Sequence, residues 1–201
     1  MPINPVEVFY CWWCLTEPKV LLEVNVGVDL SEVLNVVRRH SDVEGVYVVN
    51  SLSDLSEVGL KALKDFLNGL KEGSIALIPL SRDSLKLFKD FTSDLINKVK
   101  VVPVVKDLSV VEELKGVYSD VCFNTANPYL NVSELIKSGV TCLIQPHAVL
   151  RSRTVKEAVA KGVKVVAVGV NSPEVYLKVE SMNVYAVTTE KPNIKREAKL
   201  G

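Results

Sequence analysis

The chain has 201 residues, 48% of them hydrophobic, and its 24 basic and 24 acidic side chains give a formal net charge of +0. This length predicts a single domain, and the charge balance argues against nucleic acid as the main partner, because phosphate binding usually leaves a basic excess. We see no apolar run of about 18 residues that would span a membrane and no signal-peptide layout, so we expect a cytoplasmic protein. Abundant valine, lysine and glutamate with a single glutamine are typical of a thermophile.

The amino-terminal segment differs from the rest of the chain in its aromatic content. Cys11 and Cys14 have CxxC spacing, but CWWC follows VEVFY directly and does not open a helix after a strand and loop, as a redox motif does. Cys122 and Cys142 lie far away and complete no standard zinc pattern. We interpret residues 1–19 as an N-terminal plug or extra strand. Free thiols, a disulfide and metal ligation all stay open for the CxxC pair.

Beyond residue 19, valine-rich runs alternate with amphipathic segments. Apolar runs rich in β-branched residues predict parallel strands buried on both faces. The eight runs are 20–26, 45–51, 74–80, 99–105, 120–126, 141–147, 164–170 and 184–189. Six segments between them have helical spacing, and several begin at Ser, Asp, Asn or Thr and end at Gly. The pattern predicts one compact α/β domain over residues 1–201, a (β/α)8 TIM-type barrel. A doubly wound open sheet is the alternative, although the chain contains neither GxGxxG nor GxxxxGK[ST].

Candidate catalytic residues follow from the rule that both architectures place their chemistry at the carboxyl ends of the strands. Glu23 interrupts an apolar strand, and a buried carboxylate is costly unless it is paired or bound to a metal. We predict that Glu23 is catalytic and a metal ligand. The alternative is an ion pair with a neighbouring Lys or Arg, or a side chain that points to the rim of the barrel. Asp107 is a candidate second metal ligand or an ordinary helix cap. His147, after the sixth run, is a candidate general acid or base, or a loop residue packed on Leu150.

Phosphate binding is suggested by basic and polar residues just past the predicted strands. TIM barrels often hold phosphate at this end with basic side chains and backbone amides. The predicted phosphate- or substrate-binding residues are Arg82, Lys106, Arg151, Asn171 and Thr189. A solvated basic rim is the alternative interpretation.

Two spaced motifs near the carboxyl end carry a family resemblance. AVAKG precedes KVVAVGVN and SPE, and TEKP follows the last run. These segments are similar to a helix ending in Ala-His-x-x-Gly, a strand Lys-Val-x-x-Trp-Thr-Val-Asn, a Pro-Glu turn and a closing Thr-Asp-x-Pro. The last fifty residues thus resemble the carboxyl end of the glycerophosphodiester phosphodiesterase family. Val168 and Gly169 stand where that family has Trp and Thr.

This resemblance implies a (β/α)8 hydrolase of lipid metabolism that cleaves phosphoric diesters with the help of Mg²⁺, Ca²⁺ or Mn²⁺. Glu23 and Asp107 would then bind the metal, and His147 would shuttle a proton. The sequence contains neither the His-Arg nor the His-Asp pair of the family. That difference favours an alternative, an inactive barrel without a cofactor that binds a small phosphorylated molecule or a protein. A thiol oxidoreductase centred on CWWC is a third hypothesis.

Overall fold

The protein is described by a computed structural model that covers residues 17–200, so Cys11, Cys14 and nearly all of the predicted plug at 1–19 lie outside the described residues. Within residues 17–200, eight strands alternate with eight helices. The strands are β1 (Lys19–Val24), β2 (Val43–Val48), β3 (Ile75–Pro79), β4 (Lys100–Val105), β5 (Cys122–Asn124), β6 (Cys142–Pro146), β7 (Lys164–Val168) and β8 (Ala186–Thr189). The helices are α1 (Leu30–Arg39), α2 (Glu57–Gly69), α3 (Leu85–Thr92), α4 (Val111–Leu114), α5 (Val132–Lys137), α6 (Ser152–Ala160), α7 (Pro173–Glu180) and α8 (Ile194–Leu200).

The strands form a closed barrel in sequence order. Each pairs in parallel with the next along the chain, and β1 closes the ring by pairing in parallel with β8. The predicted (β/α)8 architecture is therefore confirmed, with each predicted run containing or overlapping one observed strand. None of the helices within residues 17–200 is long and apolar enough to cross a membrane.

Helix ends follow local side-chain chemistry. Asp29 caps α1 by accepting hydrogen bonds from the amides of Ser31 and Glu32. The helical spacing of residues 83–98 predicts one long helix between β3 and β4, but α3 ends at Thr92 and turns follow. There the Thr92 hydroxyl donates to the Phe88 carbonyl and the Ser93 hydroxyl to the Asp90 carbonyl. Such side chains compete with the backbone and favour helix termini.

Two apolar layers hold the barrel together. Strand residues such as Leu22 and Val165 point outward and pack against buried helix residues such as Phe88. Alternate strand residues, among them Leu21 and Val166, fill the inside of the barrel. This two-sided burial explains why the strands are continuous apolar runs and leaves only the two ends of the barrel for polar groups.

The amino-terminal end of the barrel is closed by a charge cluster around Asp120, a residue that is only 6% exposed. Lys100 and Lys164, the first residues of β4 and β7, place their Nζ atoms 2.6 Å and 2.7 Å from Asp120 Oδ2. The Thr141 hydroxyl donates to Asp120 Oδ1 at 3.0 Å. The carboxylate is thus fully engaged, as a buried charge requires.

A disulfide joins β5 to β6 inside the barrel. Cys122 and Cys142 are register neighbours with Cα atoms 4.2 Å apart, and both are buried. The two cysteines are 20 positions apart in the sequence and were not expected to pair. Their place near the start of two consecutive strand runs was the signal that could have predicted the pairing, since consecutive strands of a parallel barrel are neighbours.

Candidate functional site

The carboxyl ends of the strands bring the predicted site residues to one end of the barrel. Glu23 lies in β1 and Thr189 ends β8, while His147, Lys106 and Asn171 follow β6, β4 and β7. At this mouth they form separate groups rather than one cluster.

Glu23 is the acidic residue at the centre of the first group. It alternates with the outward-facing Leu22 and Val24, so its side chain points into the barrel. Its Oε1 atom accepts a hydrogen bond from the Thr188 hydroxyl and another, at 3.1 Å, from the Gly169 amide. These two donors use one carboxylate oxygen and leave Oε2 without a hydrogen-bond partner among residues 17–200.

Gly169 connects Glu23 to His147. It has a φ of 76°, a left-handed conformation that glycine adopts readily and that other residues adopt at a cost. A Cβ atom at Gly169 would lie 3.7 Å from His147 Nδ1, so the glycine separates the imidazole from the carboxylate. The two predicted catalytic residues therefore both lie beside this one glycine.

His147 is oriented by the end of β7. Its backbone amide donates to the Val168 carbonyl at 3.0 Å, and its Nδ1 atom lies 3.1 Å from the same oxygen. A carbonyl oxygen only accepts, so Nδ1 carries the proton in this arrangement. With Nδ1 as the donor, Nε2 is the ring nitrogen left to exchange a proton with a ligand.

Tyr47 is the register neighbour of Glu23 on β2 and is 9% exposed. Burial, and after it the nearby charge of Glu23, raises the pKa of the Tyr47 hydroxyl above its usual value. Tyr47 therefore stays a neutral phenol at physiological pH. Tyr47 and Thr188 were not predicted as site residues, because Tyr and Thr are common in strands and do not stand out from their runs as the charged Glu23 does.

The second group is a pocket over the ends of β3, β4 and β5. It encloses about 380 Å³, within the range of small-molecule sites. Six polar residues line it: Ser51, Ser81, Arg82, Lys106, Asp107 and Asn124. Three of the predicted site residues are thus brought together, two cations and one carboxylate. The remaining predicted residues do not line this pocket.

Asp107 acts as a cap in this pocket. Its Oδ1 accepts from the Ser109 amide at 2.9 Å, and its Oδ2 accepts from the Ser109 hydroxyl at 2.7 Å. These bonds, together with the charge of Arg82, hold the pKa of Asp107 below its usual value. The carboxylate is therefore ionised at neutral pH, with both oxygens already bonded to Ser109.

The other predicted phosphate ligands are engaged with neighbours at the rim. Asn171 Oδ1 accepts from the Thr189 hydroxyl and from the Glu190 amide, both at 2.9 Å. The Arg151 guanidinium lies 4.3 Å from the centre of the Tyr129 ring and donates to its hydroxyl. The structure thus pairs Asn171 with Thr189 and places Arg151 on an exposed aromatic ring.

A divalent metal fits this arrangement poorly. Hard cations prefer several converging oxygen ligands. Residues 17–200 contain no group of three His, Cys, Asp or Glu side chains that could hold a metal ion. Glu23 and Asp107 lie on β1 and after β4, three strands apart in a ring of eight. Metal ligation by these two residues stays a prediction.

Comparison with known proteins finds similarity in fold. The sequence matches no protein family model and no curated protein sequence. A glycerophosphodiester phosphodiesterase from Parabacteroides distasonis is similar in structure, with a TM-score of 0.62 over 92% of this chain and 98% of that chain, at 16% identity. At such identity the likeness shows the barrel fold.

Two further barrels illustrate the range of similar structures. A phosphodiesterase from Oleispira antarctica, solved with the product sn-glycerol-3-phosphate, has a TM-score of 0.55 and 12% identity and covers 71% of this chain and 60% of that chain. Phosphoribosyl anthranilate isomerase from Thermus thermophilus has a TM-score of 0.58 and 13% identity over 90% of this chain and 96% of that chain. The same fold therefore carries different chemistries, and the function has to be argued from the site.

Proposed function

We propose that this barrel binds a small phosphorylated molecule at its carboxyl-end mouth, with the phosphate held by Arg82 and Lys106. The observation that carries the proposal is the pocket over β3–β5, where these two cations and one carboxylate leave a net positive charge. The pocket also offers the Ser51 and Ser81 hydroxyls and the Asn124 amide as neutral partners. Guanidinium and ammonium groups are the usual protein partners of phosphate oxygens.

Calorimetric titration with sn-glycerol 3-phosphate and with inorganic phosphate tests this proposal. Each single variant, Arg82→Gln and Lys106→Gln, should weaken binding about tenfold, or about 1.4 kcal/mol, because one charge-assisted contact is lost. Lys178→Gln is the control, since Lys178 is exposed on α7, away from the pocket. Equal affinities in all four proteins, or no binding of either anion, would refute the proposal.

A second candidate function, phosphodiester hydrolysis, is favoured by the position of Glu23 and His147 on either side of Gly169. Water would attack phosphorus while its proton passes to His147 Nε2. The bond to the alcohol oxygen would break, and the same proton would return to that oxygen. Glu23 Oε2 would orient the water. The structural likeness to phosphodiesterases supports this chemistry at the level of fold.

Turnover of bis-p-nitrophenyl phosphate, measured with and without Mg²⁺, Mn²⁺ or Ca²⁺, tests the second candidate. Glu23→Gln keeps an oxygen for Thr188 and Gly169 but removes the charge, and together with His147→Gln it identifies the groups that act. Each variant should slow turnover about 100-fold or more, the usual contribution of a general acid–base group. Glu197→Gln, an exposed change on α8, should leave the rate unchanged. Absence of turnover under all conditions would leave the barrel as a binding protein.

A further inference from the structure

The charged residues at the mouth of the barrel do not favour a divalent ion, the cofactor implied by the resemblance to glycerophosphodiester phosphodiesterases. A phosphate ligand needs positive charge close to its oxygens, and a protein supplies it with a metal ion or with its own cations. The residues at the mouth favour one of these two sources of positive charge.

The candidate metal ligands are already engaged with protein donors. Both oxygens of Asp107 accept hydrogen bonds from Ser109, and these bonds hold the turn that follows β4. One oxygen of Glu23 accepts two hydrogen bonds. An ion shared by the two carboxylates would have to compete with Ser109 for the oxygens of Asp107 and also bridge a gap of three strands.

The candidate cations, in contrast, are available. Within residues 17–200, neither Arg82 nor Lys106 takes part in an ion pair or a side-chain hydrogen bond, whereas eight ion pairs form elsewhere. Both side chains are exposed at the edge of the same pocket. Arg82, Lys106 and Asp107 line the same pocket, so this carboxylate lies among cations and not among further acidic side chains.

We infer that the pocket over β3–β5 binds phosphate without a divalent metal, and that Arg82 and Lys106 supply the positive charge that a metal would otherwise supply. This inference rests on the proposed function of the same pocket. Asp107 is then a positioning residue, which holds the β4–α4 turn through Ser109 and lies beside Arg82.

Whether Asp107→Asn raises or lowers phosphate affinity distinguishes direct binding by Arg82 and Lys106 from binding through a metal. Asn at position 107 still caps the turn through its amide oxygen but loses the negative charge. If Arg82 and Lys106 bind the anion directly, Asp107→Asn should leave phosphate affinity equal or raise it up to about fivefold, because a repelling charge is gone. A metal ligand lost at this position would instead lower the affinity and remove any metal dependence.

Calorimetry with sn-glycerol 3-phosphate on the whole chain, first with EDTA and then with added Mg²⁺, Mn²⁺ or Ca²⁺, tests the inference. We expect dissociation constants equal within twofold in all four conditions, and a loss of 100-fold or more in Arg82→Gln/Lys106→Gln. Glu197→Gln serves as the charge-matched control for Asp107→Asn. Binding that disappears in EDTA and returns with a metal would overturn this inference and leave the proposed function intact. Absence of binding in every condition would overturn both.

Discussion

Within residues 17–200, the two ends of the barrel differ in whether their charged residues are buried in pairs or exposed without partners. At the amino end, Asp120 is buried and bonded to Lys100, Lys164 and Thr141, so each of the three charges in this cluster has a partner. At the carboxyl end, Arg82 and Lys106 are exposed, and among residues 17–200 they have no ion-pair partner. A satisfied buried cluster fixes a fold, whereas exposed unpaired charges are free to meet a ligand. This division agrees with the general rule that TIM barrels keep stability at one end and chemistry at the other.

The disulfide belongs to the amino-end side of this comparison and should have the largest effect on stability. Replacing both Cys122 and Cys142 with Ala should lower the free energy of unfolding by about 3 kcal/mol, because a loop of 20 residues is no longer closed in the unfolded chain. Urea unfolding of the wild type, with and without reductant, and of the double variant measures this. Phosphate affinity should stay the same in the folded variant, and a strong loss of affinity would show that the two ends are coupled.

The substitution of Asp120 should have the second-largest effect on the free energy of unfolding. Asp120→Asn leaves two lysines side by side without a counter-charge, a change that costs 3–5 kcal/mol in fully buried pairs. Both lysines are about one-third exposed, so water screens part of the effect, and we expect a loss of about 2 kcal/mol. Chemical denaturation gives the value. Lys64→Gln, which breaks an exposed pair with Asp94, is the control and should cost under about 1 kcal/mol.

The contribution of Asp120 should vanish in acid. Burial alone would raise the pKa of Asp120, but hydrogen bonds from Lys100 and Lys164 outweigh burial and lower this pKa below the usual 3.8. Below pH 3.8 the unfolded chain therefore binds a proton more readily than the folded one, so stability rises with pH in this window. The difference in unfolding free energy between wild type and Asp120→Asn should be constant above pH 5 and shrink as the pH falls through the folded pKa. A difference that persists unchanged to pH 3 would contradict this cause.

The sequence predicted the fold well because burial on both faces leaves a strong pattern. Runs such as VVAVGV, residues 165–170, are apolar without interruption, and this property indicates parallel strands between helices. Capping residues such as Ser56 and Asn131 begin α2 and α5 where the sequence pattern predicts helices. The helix after β3 was predicted too long, because the apolar spacing continues past Thr92 while side-chain hydrogen bonds end the helix.

The site was only partly predictable. The sequence indicates whether a residue lies at the amino or the carboxyl end of its strand, but not which residues of other strands lie next to it. Arg82, Lys106 and Asp107 were all expected at strand ends, and they share a pocket because β3 and β4 are adjacent. The contact of Glu23 with Gly169 joins residues 146 positions apart and depends on closure of the ring between β8 and β1. Partners of this kind, like the bond between Asn171 and Thr189, emerge only in three dimensions.

Gly169 offers the finest test, because it lies beside both Glu23 and His147 and does not line the β3–β5 pocket. Ala at this position must adopt a φ of 76°, which costs about 1 kcal/mol of stability, and its methyl group would lie beside His147. We expect Gly169→Ala to impair any hydrolysis that depends on Glu23 and His147 while phosphate affinity at the β3–β5 pocket stays the same. Calorimetry and the bis-p-nitrophenyl phosphate assay measure the two effects separately.

Gly162 provides a matched control for the backbone cost. It has the same φ of 76°, follows α6, and a Cβ atom there would meet nothing within 4 Å. Gly162→Ala should therefore lower the free energy of unfolding by the same amount, about 1 kcal/mol, without changing the residues at the mouth. If both variants bind phosphate equally well and only Gly169→Ala loses turnover, the Glu23–His147 group and the Arg82–Lys106 pocket act as separate parts of one mouth. If Gly169→Ala also weakens phosphate binding, the two groups at the mouth act as a single unit. The difference between the paired charges of the amino end and the exposed cations of the carboxyl end would then still stand.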